Sequence, residues 1–531
     1  MKLLFIQPPG QGDGSTRRPT KQRLFPWGLA SVIQYLQNDG HEISVLDVHG
    51  ADMINPEVEA FLDREKFDAA CISGFSSMNY LYVVWLAQQV KKRYAVPVIV
   101  GGLVADNHYD LLLNKGHIDI CAIGEGELTG VDLFRNLNRP EAVRGIAYRR
   151  NGQIVVNEIR ELIDNLDSLP MPDFDLWDMH AYTQVKMYVH DESTRAEAYE
   201  DLDSVDLDHL RPNISYLAGR GCPYKCRFCS RSYSGVRLKS IGKIIEDIRY
   251  LKERFDLKSI QFVDELLILN KKRTLEFCHE MKKLDIYWDG QARVNTINDK
   301  EILYALKDAN CLSIGLGIES GSNAMLKAMK KGITREQSLS VLKMAREVGI
   351  HLKLQFMGGY PGETKATLAE TASLIREAKL PPRRLTWTTP LPGSELYEQA
   401  RTAGKIADEE AYILKLHQGY NNYLIPNIVL NVSGQSDEEM IRLFYWVHMK
   451  MEVDYLQTLV REGKLFKPIF RQQYRQASIK VRQYLQLYSP AYQKAQRGAQ
   501  IIRQTLSSLY WGIRKHLRPL KRLYQKLKAG R

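Results

Sequence analysis

The sequence predicts two successive α/β domains followed by a basic helical tail. Three observations carry that prediction. Apolar runs of strand length alternate with amphipathic stretches over residues 1–140 and again over 213–400. Glycines, cysteines and charged residues collect where those runs end. The Lys and Arg residues crowd into positions 461–531. A chain of 531 residues, 44% hydrophobic and 26% charged, has globular composition with room for several cores, which excludes a fibrous or low-complexity protein.

In the first domain the strands are Leu3 to Ile6, Ile43 to Val48, Ala69 to Ser73, Val96 to Val100 and Ile118 to Ile123. Their uninterrupted apolar character fits an open parallel sheet covered on both faces. The opening MKLLFIQPPG has an unbroken run of four apolar residues before Gln7, Pro8 and Pro9. That falls short of the roughly 7 to 15 of a signal-peptide core and reads as the first strand. Small residues follow the strands: Pro8-Pro9-Gly10, Ser73-Gly74-Phe75-Ser76-Ser77, Gly101-Gly102 and Gly124-Glu125-Gly126. In open α/β sheets ligands bind beyond these strand ends, so a cofactor tail could approach the backbone there; plain βα turns are the alternative.

Gly145 to Val156, with Asn151-Gly152 at its centre, reads as a β-hairpin. With it, residues 141–212 form a connector, containing Leu169-Pro170-Met171-Pro172 and, between Asp191 and Asp208, eight acids against one arginine. His180, His190 and His209 lie in or near this polar stretch and read as solvated. Six further strands at 213–219, 258–263, 286–292, 312–318, 351–357 and 384–389, separated by helical segments, predict a partial barrel over 213–400. Residues 401–460 read as a helical extension.

Seven cysteines are too few and too scattered for a disulfide framework, which points to a reducing cytoplasm. Three of them, Cys222, Cys226 and Cys229, share one loop directly after the first barrel strand. Zinc would want a fourth ligand, whereas three thiolates suit a cubane iron–sulfur cluster with one iron left open.

CxxxCxxC with Phe228 before the last cysteine, at the head of a βα barrel, resembles the radical S-adenosylmethionine (SAM) superfamily. The resemblance implies a 4Fe-4S cluster whose open iron is chelated by SAM, and reductive cleavage of SAM to a 5′-deoxyadenosyl radical. It also places SAM contacts, one by one, at Phe228; at Asp264 and Glu265, which end the second barrel strand; at Arg293, ending the third; and at Glu319 and Ser320, ending the fourth. Gly358 to Glu363 resembles the family's segment near the adenine, and Thr389 to Ser394 follows the sixth strand.

The first 140 residues resemble the Rossmann-like cobalamin-binding domain fused to this barrel in one subgroup. The resemblance implies cobalamin contacts at Ser76, Gly101, Gly102, Glu125 and Gly126. Asp47-Val48-His49 departs from the Asp-x-His-x-x-Gly signature, because position 52 is Asp and the segment ends the second strand. The cobalt's lower face is therefore expected to carry no histidine.

Both resemblances together imply a cobalamin-dependent radical SAM enzyme, with methylation of an unactivated carbon of a small, lipophilic metabolite as the expected reaction. Oxidative cyclisation or rearrangement is the alternative, and a noncatalytic iron–sulfur scaffold a distant third. An electron donor such as a flavodoxin or ferredoxin is the expected partner.

Residues 461–531 carry 18 Lys plus Arg against Glu462 alone, so a net +12 over the chain becomes −5 over the preceding 460 residues. Ile502, Leu506, Leu509, Ile513, Leu517, Leu520, Tyr524 and Leu527 recur at spacings of 3 and 4 among basic residues, with Pro519 as a kink. This pattern points to an interfacial helix on anionic lipid at the inner face of the membrane, ahead of self-packing or nucleic acid. No run of about 18 to 20 apolar residues suggests a span.

Overall fold

The computed structural model describes residues 1–10, 14–15, 23–185, 207–231, 233, 235–419 and 428–464, together with 474–475, 477–480 and 482. His190, residues 191–206 of the acidic stretch and the tail pattern from Ile502 lie outside them. Residues Met1–Asp437 form one compact unit and Glu438–Arg531 a second.

The first sheet has strands β1 (Lys2–Gln7), β2 (Glu42–Asp47), β3 (Ala69–Ser73), β4 (Val98–Gly101), β5 (Ile120–Ala122), β6 (Ile146–Arg150) and β7 (Gln153–Val156), in spatial order β2-β1-β3-β4-β5-β6-β7. The five expected strands run parallel. The hairpin β6–β7 then adds antiparallel to β5, so the sheet is mixed and extends past residue 140. Asn151 and Gly152 both take positive φ, as the tight primed turn between two twisted strands requires.

Helices α1 (Trp27–Asn38), α2 (Asn55–Leu62), α3 (Tyr80–Arg93), α4 (Leu103–Asn114) and α5 (Gly126–Arg135) cover the faces. Leu4, Ile6, Ile72, Val83, Leu86, Val100 and Leu112 are buried in one core cluster, which explains why these strands read as apolar runs instead of alternating. On the other face α1 and α5 meet so closely that a Cβ on Gly126 would stand 2.9 Å from Val32.

The second sheet is parallel throughout, in order β15-β14-β13-β12-β11-β8, with β8 (Asn213–Tyr216), β11 (Ser259–Phe262), β12 (Tyr287–Ala292), β13 (Cys311–Glu319), β14 (Leu352–Gly358) and β15 (Leu385–Trp387). Among the described residues β8 and β15 do not pair, which leaves the barrel open as expected. Side-chain oxygens of Ser240, Asn270, Asp299, Thr334 and Thr364 cap the intervening helices. Phe262, Trp288 and Phe277 pack edge to face on the helix side of the sheet, with ring centroids 5.2–5.7 Å apart. A short antiparallel ribbon of β9 (Gly219–Arg220) and β10 (Arg237–Leu238) brackets the cysteine loop.

The described half of the connector is a packed strap. Phe174, Trp177 and Tyr182 gather around Phe25 with centroids 5.3–5.4 Å away, while His180 and His209 are exposed. In the second unit, helix Asp437–Arg461 buries Met440, Leu443, Phe444, Val447 and Met451, a stripe at spacings of 3 and 4. No helix among the described residues is long and apolar enough to cross a membrane.

Candidate active site

The cysteine loop leaves β9 through Gly221, whose φ of +82° and approach to the Gly235 carbonyl leave no room for a side chain: a Cβ would stand 2.5 Å from that oxygen. Further along, the Arg227 amide donates to the Met329 carbonyl at 3.0 Å, and its own carbonyl accepts from Leu396 at 2.8 Å. Loop and barrel mouth are thus pinned together. Cys226 is buried, Cys222 half-buried and Cys229 exposed, and none is in a disulfide.

Desolvation pushes the Cys222 thiol up and that of Cys229 up to about 11, with the Glu265 carboxylate contributing to both. Among the described residues no three ligands gather as a single metal ion would require. A cubane asks something different, that each thiolate reach its own iron corner. Three free thiols on one pinned loop fit that donor set, with no fourth protein ligand.

Arg293, just past the end of β12, is buried beside these sulfurs. Its Nη1 lies 3.4 Å from Cys226 Sγ, its Nη2 donates to the Lys331 carbonyl, and its guanidinium carbon stands 3.7 Å from the centre of the Tyr224 ring. Tyr224 Oη in turn accepts from Asn295 at 2.8 Å.

The two acids after β11 part company. Glu265 is exposed next to the thiols. Asp264 is buried, accepts the Ala218 amide at 3.2 Å through Oδ2, and has an orphaned Oδ1; burial pushes it up to about 7. Glu319 ends β13 at a φ of +64° and pairs with Lys331 Nζ at 2.9 Å, both nearly buried. A non-glycine residue held there is strained, a condition that concentrates at functional sites. Lys331 Nζ also lies 5.8 Å from the centre of the Phe228 ring. Ser320 Oγ contacts Thr371 Oγ1 at 3.3 Å and accepts the Ser322 amide at 3.1 Å. Phe228, Arg293 and Glu319 are therefore linked through Lys331.

Beyond the strand ends of the first sheet lies a cavity of about 880 Å³, at the upper end of the size range for ligand pockets. Gly10, His49, Gly101, Gly102, Gly124 and Gly126 line it, with Phe25, Trp27, Phe75 and Met78 as apolar walls. Nothing stands within 4 Å of where a Cβ on Gly124 would lie, and at Gly101 only Ala122 comes that close. The backbone is thus bare towards the cavity, which suits a large, flat, amide-bearing cofactor such as cobalamin.

His49 Nδ1 accepts the Gly10 amide at 3.2 Å, and burial holds its pKa down to about 4, so the ring is neutral with its proton on Nε2. Ser76 and Glu125 do not line the cavity. Ser76 caps the 77–79 turn through the Met78 amide at 3.3 Å. Glu125 is consumed by Arg220 at 2.6 Å and Arg237 at 2.9 Å, while Arg220 also grips Glu127 at 2.5 Å. Leu217, Arg220, Tyr233 and Val263, which flank or adjoin the cysteine loop, line the same cavity.

Sequence reasoning missed Tyr224, Lys331, Arg220 and Tyr233. Two aromatics and one basic residue within or beside the cysteine loop were visible signals; Lys331 had none.

Comparison with known proteins agrees with this arrangement. Residues 216–375 match the family model of the Radical SAM superfamily, and residues 17–134 match that of the B12 binding domain. An uncharacterized methyltransferase of Pyrococcus horikoshii is 28% identical over 481 residues, covering 88% of this chain and 95% of the relative. An anaerobic magnesium-protoporphyrin IX monomethyl ester cyclase of Rubrivivax gelatinosus is 25% identical over 428 residues, 78% of this chain and 72% of the relative. The fold resembles the solved cobalamin-dependent S-adenosylmethionine radical enzyme OxsB, with a TM-score of 0.65 at 15% identity over 96% of this chain and 75% of that one. The chain carries a Radical SAM domain behind a B12 binding domain, and the two domains imply a 4Fe-4S cluster, SAM and cobalamin as cofactors.

Proposed function

We propose that this enzyme is a methyltransferase that uses SAM and cobalamin to methylate an unactivated carbon of a small, lipophilic metabolite. One observation carries the reading: residues flanking the cysteine loop, Arg220 and Tyr233, also wall the glycine-lined cavity, so that cavity extends to the flank of the cysteine loop. When bound, the reduced cluster supplies one electron to SAM and cobalamin supplies a methyl carrier.

The chain's own residues hold and shield these groups. Cys222, Cys226 and Cys229 take three iron corners. Glu265 and Arg293 take the methionyl amine and carboxylate in this reading, and Glu319, Ser320 and Phe228 the remaining SAM contacts. Asp264 positions the backbone of the loop from below. Gly101 and Gly124 leave room for the corrin ring and Gly102 and Gly126 line the same cavity, while Ser76 and Glu125 act through the 77–79 turn and Arg220. A flavodoxin or ferredoxin is the proposed electron donor.

Cyclisation is the second reading, favoured by the similarity to the R. gelatinosus cyclase. Anaerobic protein loaded with cluster and hydroxocobalamin, given SAM and titanium(III) citrate without substrate, separates the two. The methylation reading expects S-adenosylhomocysteine stoichiometric with bound cobalamin. Deoxyadenosine alone moves cyclisation to first place, and neither product removes the radical reading.

The basic amphipathic pattern of residues 502–527 supports a peripheral membrane site. Flotation with anionic vesicles should be lost from a chain ending at Gly463; equal flotation contradicts it.

A further inference from the structure

The cavity wall carries one carboxylate that the strand-end glycines and the cysteine chemistry leave unexplained. Asp106 stands in the first turn of α4, and its Oδ1 accepts the Gly124 amide at 2.8 Å, tying the turn after β5 to the helix after β4. It lines the cavity beside Gly101, Gly102 and Gly124. Oδ2 meets no donor among the described residues, yet is not one of the side-chain atoms sealed off without a partner. Its lone pairs therefore face the cavity. The neighbouring space is open, because Gly124 presents bare backbone there.

The surroundings decide what Oδ2 can receive. Of the lining residues only Arg220 is a fixed cation, and it is engaged by Glu125 and Glu127. His49 is neutral. Burial without a cation pushes Asp106 up to about 6, so it is chiefly a carboxylate at neutral pH. An open carboxylate without a counter-charge repels a phosphodiester and rewards an N–H donor. On cobalamin the donors are the primary amides around the corrin ring, with the secondary amide of the aminopropanol linker and the ribose hydroxyls of the nucleotide loop as the other sources.

We propose that Asp106 is a cobalamin-positioning residue that accepts a hydrogen bond from a corrin-ring carboxamide. The assignment rests on the cobalamin reading of the cavity. It gives the wall between the Gly101-Gly102 turn and the Gly124 turn a specific polar contact, and it orients the ring through the same side chain that joins those two turns.

Asp106→Asn tests it in the full-length protein. The amide oxygen still accepts from Gly124, but an NH2 group now faces the ligand's own donor. Titration with hydroxocobalamin, followed by absorbance, should show binding weakened about 10-fold or more, as expected for losing a hydrogen bond to a charged group. Dicyanocobinamide, which keeps the ring amides and lacks the nucleotide loop, should lose affinity by the same factor. Unchanged thermal melting and cluster iron content show that the variant folds. A measurement free of folding risk uses the wild type: among cobalamin monocarboxylates with one ring amide hydrolysed, at least one isomer should bind about 10-fold more weakly than hydroxocobalamin.

Wild-type and variant affinities within twofold of each other overturn the proposal. So does a loss seen with hydroxocobalamin but not with dicyanocobinamide, which would place the contact on the nucleotide loop. If the wild type binds neither corrinoid, the cobalamin reading falls, and this assignment with it.

Discussion

The two sheets end in opposite ways. At the carboxyl ends of the first, the chain offers glycine backbone and a wide, largely apolar cavity with few charges. At the carboxyl ends of the second, it offers thiols and tightly paired ions: Arg293 on Cys226, Lys331 on Glu319, Glu265 beside the cysteines. A large, neutral, amide-rimmed ligand is recognised by making room and supplying a few hydrogen bonds. A cluster and a charged sulfonium ligand need fixed sulfur, carboxylate and guanidinium groups whose desolvation is offset by mutual pairing. The same strand-end position in two α/β layouts thus serves two kinds of cofactor, through side-chain removal in one and side-chain placement in the other.

That comparison can be broken at either end. The largest effect is expected from Cys222→Ala, Cys226→Ala or Cys229→Ala. Each should abolish the open-site cluster and reduce SAM cleavage by about 1,000-fold or more, while leaving hydroxocobalamin affinity within a few-fold. Iron analysis and deoxyadenosine quantification check this, and full activity in any one variant contradicts the cluster assignment.

The mirror experiment is Gly101→Leu, which puts a side chain where the cavity wall is bare. Cobalamin affinity should fall about 10-fold or more, with iron content and SAM cleavage retained. If both cofactors are lost together, the sites are not separable in the way described.

Arg220→Met probes the joint between the two ends. It leaves Glu127 buried without its cation and Glu125 with Arg237 alone, which should destabilise the protein by about 3 kcal/mol, read as a lowered melting temperature. A change near zero would mean that the ion cluster is not needed to hold the cysteine loop against the cavity.

The smallest effect concerns pH. Burial raises the Glu363 carboxyl, in the turn after β14, to about 7 from its ordinary 4.5. A raised acid contributes stability that is fully present below about pH 4.5 and is lost as pH rises through about 7. Glu363→Gln should therefore flatten the decline of melting temperature between about pH 5 and 7.5; an unchanged slope shows that this group is not its source.

Much of this arrangement was legible because it depends on local pattern. Strands buried on both faces spell apolar runs, Asn151-Gly152 announces its turn, and three cysteines on one loop announce their chemistry without any knowledge of the fold. What escaped depends on contacts between distant segments. Glu125 looks like a cavity residue until Arg220 and Arg237, some hundred positions later, are seen to claim it. Asp264 and Glu265 look interchangeable until one is buried on the Ala218 amide and the other is exposed beside the thiols. The stretch 158–185 looks like a polar linker because its aromatic residues are spaced irregularly, and only Phe25 makes them a cluster. Asp106, in the first turn of α4, gave no signal at all.

The central claim is that one chain carries two different cofactor sites. Iron, acid-labile sulfide and cobalamin content of protein purified without oxygen from cobalamin-fed cells tests that most directly. About four irons and one cobalamin per chain are expected. Four irons with no cobalamin, after loading with hydroxocobalamin has also been tried, would contradict it and leave the glycine-lined cavity to another ligand.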